Sequence, residues 1–202
     1  MSDEFNCIIV GVGGQGGATL TNVIAEAATR KGLRGRMHET LGMAQRGGSV
    51  QVQIRLGSQV YSSFIPPGQA DVLIALDPNE ALRAAEYIGK KTTIIMNTNG
   101  ILPVSVLMGK EKYPDLKEEI SLLKQLGREV YAYDAYGLAK QAGSIRAMSV
   151  VLLGSLAKLG ISPLTRDELY QAMLDTVPKK YLKENIAAFN AGEMEIEKLR
   201  KK

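Results

Sequence analysis

The chain has 202 residues, 45% hydrophobic and 23% charged, with a formal net charge of +4; this is ordinary for a soluble globular protein and excludes a disulfide-stapled or disordered class. One cysteine and one histidine exclude a four-thiolate iron–sulfur cluster, a cysteine-rich zinc site and a conventional histidine metal site. Aromatic residues are 5% with no Trp, which argues against stacking platforms for nucleic acid, and no apolar run is long enough to span a bilayer.

The first element is Phe5 to Val10, an apolar strand buried on both faces. Gly11, Gly13 and Gly16 then give G-x-G-x-x-G spacing, with Gly14 and Gln15 inside it. Ala18, Leu20, Val23, Ile24, Ala27 and Ala28 follow at helical spacing. Strand, glycine turn and helix form the context in which this motif points to an anion held at a helix N-terminus. The plainer reading is that the glycines only close the first strand on the first helix. Cys7 sits inside that strand and reads as an inert core thiol of a reducing compartment.

Leu33 to Glu39 reads as a second strand, with Glu39 near its carboxyl end, where an acidic side chain in a dinucleotide fold accepts from a ribose hydroxyl. A polar loop follows, with Gln45, Arg46, Gly47 and Gly48. Val50 to Leu56 alternates with polar residues, Gly57-Ser58 reads as a turn, and Val60 to Ile65 reads as the returning strand of a β-hairpin. Ala70 to Asp77 is another apolar strand. Asp77-Pro78-Asn79-Glu80 starts a helix, with Asp77 capping and Glu80 placed to bond back.

Thr92 to Thr98 is the next strand, and Pro103 makes the segment to Met108 an edge strand or loop. Asp115 to Gln125 reads as a helix stopped by Gly127, and Glu129 to Asp134 as the last strand. Beyond Ala135 the pattern is helical: Tyr136 to Gln141, Ile145 to Leu159, Leu169 to Thr176 behind a Thr165/Glu168 capping box, and Lys179 to Asn190. The basic cluster Lys198 to Lys202 reads as a solvated tail. The expected fold class is α/β: a three-layer α/β/α sandwich with a Rossmann-like mixed sheet, an inserted β-hairpin and a helical C-terminal part. Residues 1–202 read as one domain.

Stand-alone chemistry is missing from the sequence. There is no P-loop and no G-x-S-x-G nucleophile elbow beside His38. The carboxylates Glu118 and Glu119, being adjacent on a helix, diverge toward water. What remains is the glycine turn, Glu39 and the Gln45-Arg46-Gly47-Gly48 loop, whose arginine fork suits a carboxylate or phosphate. Both loops follow the carboxyl ends of strands, the edge at which open α/β sheets bind ligands.

GVGGQG at Gly11–Gly16 and ETLGMAQRGGSV at Glu39–Val50 resemble the gamma-type component of 2-oxoacid:ferredoxin oxidoreductases, nearest to the beta subunit of the indolepyruvate type. The likeness continues through Ile65–Arg83, Asp134–Gly143 and Lys183–Gly192, and so covers nearly the whole chain. The chain departs from the family pattern at Ser144 and Ser149, where Asn is usual, and near Gln53, where His is usual; these departures bear on the substrate branch.

The resemblance implies one part of an enzyme that oxidatively decarboxylates a 2-oxoacid, an aryl pyruvate such as indolepyruvate, to an acyl-CoA with electrons passed to ferredoxin. It implies no cofactor on this chain alone. Thiamine diphosphate and iron–sulfur clusters belong to a catalytic partner subunit, coenzyme A is a co-substrate, and the assembly is a cytoplasmic hetero-oligomer without nucleic acid or membrane; a homodimer is the form expected in isolation. The polar, acidic start from Met1 to Asn6 agrees with a cytoplasmic location. The resemblance assigns Gly11, Gly13, Gly14, Gln15, Gly16, Glu39, Gln45, Arg46, Gly47 and Gly48 to contact with a phosphate-bearing ligand or the partner, and names no catalytic or metal-binding residue. Two alternatives stand beside it: a self-sufficient NAD- or FAD-binding oxidoreductase, and a purely structural assembly subunit.

Overall fold

A computed structural model describes residues 4–42, 47–102, 106, 108–110, 112 and 114–201. The elements, in chain order, are β1 (Phe5–Val12), α1 (Gly17–Arg30), β2 (Gly35–Leu41), β3 (Ser49–Leu56), β4 (Val72–Ala75), α2 (Pro78–Arg83), β5 (Thr93–Asn97), α3 (Leu116–Leu126), β6 (Glu129–Tyr133), α4 (Ala135–Gln141), α5 (Met148–Leu159), α6 (Arg166–Thr176) and α7 (Leu182–Arg200). Six strands form one sheet in the order β2-β3-β1-β4-β5-β6. β1, β4, β5 and β6 are parallel neighbours, while β3 runs antiparallel to both β1 and β2.

Alternate residues of the strands feed two cores, as the pleat requires. Cys7, Ile9, Ile54, Ile74, Ile95 and Tyr133 face one layer, which holds α1 and α4 to α7. Ile8, Val10, Leu73, Ala75, Ile94 and Met96 face the other, which holds α2, α3 and the segment around Ile65. The three-layer mixed-sheet architecture expected from the sequence is therefore present.

The hairpin has a different second strand from the one the sequence suggests. β3 pairs with β2, from Gly35 opposite Leu56 to Thr40 opposite Gln51. Residues 60–65 are not a strand, although Val60 and Ile65 are buried. Side chains of β3 hold that segment: Gln53 Oε1 accepts from Ile65 N at 2.7 Å, and Arg55 Nη1 donates to the Ser62 and Phe64 carbonyls, both at 3.2 Å. Period-two alternation identified β3 but could not say which neighbour supplied its ladder.

Side chains cap α2, α3 and α6 where the sequence starts these helices. Asp115 Oδ1 accepts from Lys117 N at 2.7 Å, Asp77 Oδ1 accepts from Asn79 N at 3.1 Å, and Thr165 and Glu168 form the reciprocal capping box. Glu80 does not bond back to its own helix start; it is buried and accepts from Ser49 Oγ at 2.5 Å, tying α2 to the start of β3. Glu119 also departs from expectation: it is 0% exposed, and among the described residues neither carboxyl oxygen has a hydrogen-bond partner. Burial pushes its carboxyl pKa up, and the nearby charges of Asp77 and Asp115 add to this.

α7 runs to Arg200, ten residues beyond the end read at Asn190. Gly192 looks like a helix stop in sequence, but here it is a contact point. α5 is buried on nearly every side and crosses α7 so closely that a Cβ at Gly154 would sit 2.0 Å from the Phe189 carbonyl oxygen, and one at Gly192 would sit 1.9 Å from that of Val151. Ile196 continues the buried stripe. The basic residues Lys198 and Arg200 are therefore helical rather than a free tail, with Lys198 paired to Glu195 at 3.2 Å.

Candidate functional site

The carboxyl ends of β1, β4 and β5 open onto two adjoining clefts that share Gly13 and Gly14. The turn between β1 and α1 separates them. Gln15 braces it, accepting from Val12 N through Oε1 at 2.7 Å while its own amide donates to the Val12 carbonyl at 3.1 Å. Gly14 and Gly16 have φ of 101° and 92°, conformations that disfavour any other residue. Gly11 is demanded by close packing, since a Cβ there would lie 2.8 Å from Leu76 Cβ.

The smaller cleft, of about 320 Å³, is lined by Gly11, Gly13, Gly14, Gly16 and Glu39, with the first turn of α1 as one wall. No side chain caps that turn, and no acidic residue lies in it, so the positive end of the helix is not offset by its own side chains. The second candidate loop is bonded to the glycine turn: Gly13 N donates to the Gly48 carbonyl at 2.8 Å and Gly47 N to the Gly13 carbonyl at 3.4 Å. The structure thus brings Gly11, Gly13, Gly14, Gln15, Gly16, Glu39, Gly47 and Gly48 to one edge of the sheet. Gln45 and Arg46 lie outside the described residues, as do residues 103–105 of the segment around Pro103.

The larger cleft, of about 600 Å³, runs from Gly13–Gln15 across Asn99 to Ile101 and is walled by Tyr136, Ile145, Arg146 and Met148. Its floor is fixed by a chain of hydrogen bonds at the end of β5. Asn97 Nδ2 donates to the Leu76 carbonyl at 3.1 Å and to the Asn99 carbonyl at 2.6 Å, and Asn97 Oδ1 accepts from Tyr136 N at 3.3 Å. Asp77 Oδ2 accepts from Ile101 N at 2.8 Å. Burial pushes the Asp77 carboxyl pKa up, opposed by these amide donors and by Gln15. Asn99 in turn bonds Asp134, which caps α4 by accepting from Gly137 N at 2.6 Å.

Two residues near the glycine turn, Arg146 in this cleft and Ser149 outside the lining of either cleft, were not among the sequence candidates. Arg146 is exposed on its wall and, among the described residues, makes no ion pair. Ser149 is 0% exposed, its Oγ has no hydrogen-bond partner, and that oxygen lies 2.7 Å from where a Gly16 Cβ would be. Both stand at the start of α5, more than a hundred residues from the glycine turn. The stretch Gly143–Ser149, a departure from the family pattern, was the signal available for them.

The clefts suit binding better than bond-making. His38 lies on the outer strand β2 rather than at either cleft. Cys7 is fully buried, and burial pushes its thiol pKa well up. Among the described residues, no group of three or more His, Cys, Asp or Glu is placed to hold a metal ion. The uncapped first turn of α1 in the smaller cleft and Arg146 in the larger can each receive an anionic group beside apolar walls.

The family described as Pyruvate ferredoxin/flavodoxin oxidoreductase matches residues 6–194. The chain belongs to that family. The gamma-type resemblance drawn from the residues holds, and the family is one of oxidoreductases. The chain is 43% identical over 189 residues to "Indolepyruvate oxidoreductase subunit IorB" of Archaeoglobus fulgidus, covering 94% of both chains. In fold it is similar to the gamma subunit of a keto/oxoacid ferredoxin oxidoreductase from Geobacter sulfurreducens, with TM-score 0.68, 22% identity, and 96% of this chain and 99% of that one covered. It also superposes on 2-oxoglutarate:ferredoxin oxidoreductase from Magnetococcus marinus, a structure with 2-oxoglutarate, coenzyme A and succinyl-CoA bound, with TM-score 0.72 and 22% identity; that match spans 98% of this chain and 32% of the other.

Proposed function

We propose that this family member is the non-thiamine-binding subunit of an aryl-2-oxoacid:ferredoxin oxidoreductase, with an indolepyruvate-type substrate, and that its paired clefts complete the substrate or coenzyme A site when a catalytic subunit docks. The overall reaction converts a 2-oxoacid and coenzyme A to an acyl-CoA and CO₂, with two electrons leaving on ferredoxin. Thiamine diphosphate, which supplies the carbanion chemistry, and the iron–sulfur clusters belong to the partner. The one thiol here, Cys7, is buried inside the sheet and cannot ligate a cluster.

The observation that carries the reading is the pairing of anion-directed groups with an absence of reactive ones. Arg146 lines the larger cleft and the α1 amide end the smaller, on either side of Gly13 and Gly14, and among the described residues no nucleophile–base pair lines either cleft. Gly13, Gly14 and Gly16 shape this rim; Glu39 borders its smaller cleft; Gly47 and Gly48 hold the β2–β3 loop to it. Gln15 sets the turn, and Gln45 and Arg46 belong to the same loop in sequence.

A self-sufficient dinucleotide enzyme is less well supported, for two reasons. β3 lies between β1 and β2, which moves Glu39 one strand, about 4.8 Å, farther from the glycine turn than in a dinucleotide fold. The approach that Gly13 permits is also taken by the Gly48 carbonyl.

The test is reconstitution with a thiamine-diphosphate-binding partner. The chain alone should show no turnover, and Arg146→Ala in the complex should raise KM for coenzyme A or the 2-oxoacid about tenfold, the loss of about 1.4 kcal/mol of binding, with kcat little changed. Turnover by the isolated chain, or unchanged KM for both substrates, would overturn the proposal.

A further inference from the structure

The two outer strands of the sheet are finished very differently. β6 keeps Tyr131 and Tyr133 buried, and Arg200 of α7 reaches the Tyr131 hydroxyl at 3.5 Å. β2 is bare: from Gly35 to Thr40 every residue is exposed except His38, which is half-buried, and no other strand among the described residues pairs with its outer side. Large apolar side chains stand beside it. Tyr61 is 73% exposed, Phe64 59% and Met37 48%.

Two arginines and the single histidine share that surface. Arg34, Arg36 and His38 fall on one face by strand alternation. The Phe64 ring lies 4.6 Å from the His38 ring, and the Arg34 guanidinium 5.8 Å from the centre of Tyr61. Neither Arg34 nor Arg36 is in an ion pair among the described residues. Charged residues alone would be ordinary protection for an edge strand, but a protected edge does not set two aromatic rings in water against its arginine and histidine face and an exposed Met37 on the other.

We propose that the β2 edge is a docking surface, on which an extended, acidic segment of the partner subunit adds as a seventh strand. Main-chain hydrogen bonds would supply the pairing, and carboxylates at alternate positions would meet Arg34 and Arg36 across the aromatic pair. A second copy of this chain fits less well. Two-fold antiparallel pairing of β2 with itself keeps Arg34 and Arg36 of both copies on the same face, with no counter-charge, which is destabilising.

This assignment rests on the chain being a subunit of a larger oxidoreductase, and the experiment separates the two ideas. Amide hydrogen exchange is followed over residues 35–40 in the free chain and in the complex with its thiamine-diphosphate-binding partner. The affinity of that complex is measured for the wild type, for Arg34→Glu/Arg36→Glu and for Tyr61→Ser/Phe64→Ser, with thermal melts confirming that each variant folds. Binding should slow exchange on the outward amides of β2 by about tenfold or more. Charge reversal should weaken the complex by about tenfold or more, and added salt should weaken the wild type. If the reversed variant does not fold, the aromatic pair and the wild-type exchange decide. A complex with unchanged β2 exchange or unchanged variant affinity overturns the docking surface while leaving the subunit reading intact. No complex at all with the wild type overturns both. A dimer of the free chain with protected β2 amides overturns the acidic partner in favour of a second copy.

Discussion

Glycine does opposite work at two places in this molecule. Where α5 crosses α7, Gly154 and Gly192 have no room for a methyl group, because a backbone carbonyl of the neighbouring helix would lie about 2 Å from it. At the turn after β1, a Cβ at Gly14 would meet nothing within 4 Å, and only its φ of 101° resists substitution. The first pair serves the chain's own core. The second leaves open space at the rim of both clefts.

The largest expected effect tests the crowded side. Gly192→Ala should destabilise the fold by about 3 kcal/mol, since the helices must separate to admit the methyl group, with a matching fall in denaturant midpoint; a variant as stable as wild type would mean that the crossing can slide. At the open turn, Gly14→Ala should lower stability by about 1–2 kcal/mol through backbone strain alone, without disturbing the core. If its effect matched that of Gly192→Ala, the contrast between the two sites would fail.

Glu119 sharpens the comparison through pH. Its carboxyl pKa is raised by burial and then by Asp77 and Asp115, so the folded chain retains a proton that the unfolded chain has released. The contribution of this site is fully present below the unfolded carboxylate value and is lost as pH rises through the folded one. Glu119→Gln should therefore raise the melting temperature at pH 7 and change it little at about pH 4, near the ordinary Glu value. The smallest effect is expected at Ser149, whose buried hydroxyl has no partner. Ser149→Ala should leave the denaturant midpoint unchanged or raise stability by up to about 1 kcal/mol.

Most elements were legible because their signals are local. Asp77, Asp115, Thr165 and the apolar strands at Phe5 and Val72 each announce an element from a few neighbouring residues. What depended on partners was not legible. Val60 and Ile65 are buried in a segment that Gln53 and Arg55 hold by side-chain bonds to its backbone, so it reads as a strand without being one. Gly192 carries the composition of a helix end, and only the position of α5 reveals it as a crossing point. The glycine turn of the candidate site could be read from its spacing. Arg146 and Ser149 could not be placed beside it, because nothing in their own neighbourhood records that α5 begins above Gly16. Glu119 looked solvated because sequence places it on a helix face without saying what covers that face.

The single thiol has a practical consequence. Cys7 is fully buried in β1 with its pKa pushed up, so the folded chain is silent toward thiol reagents, which attack the exposed thiolate. One cysteine introduced at an exposed position would be the sole point of attachment for a spectroscopic label, while slow modification of Cys7 itself would time the opening of the sheet.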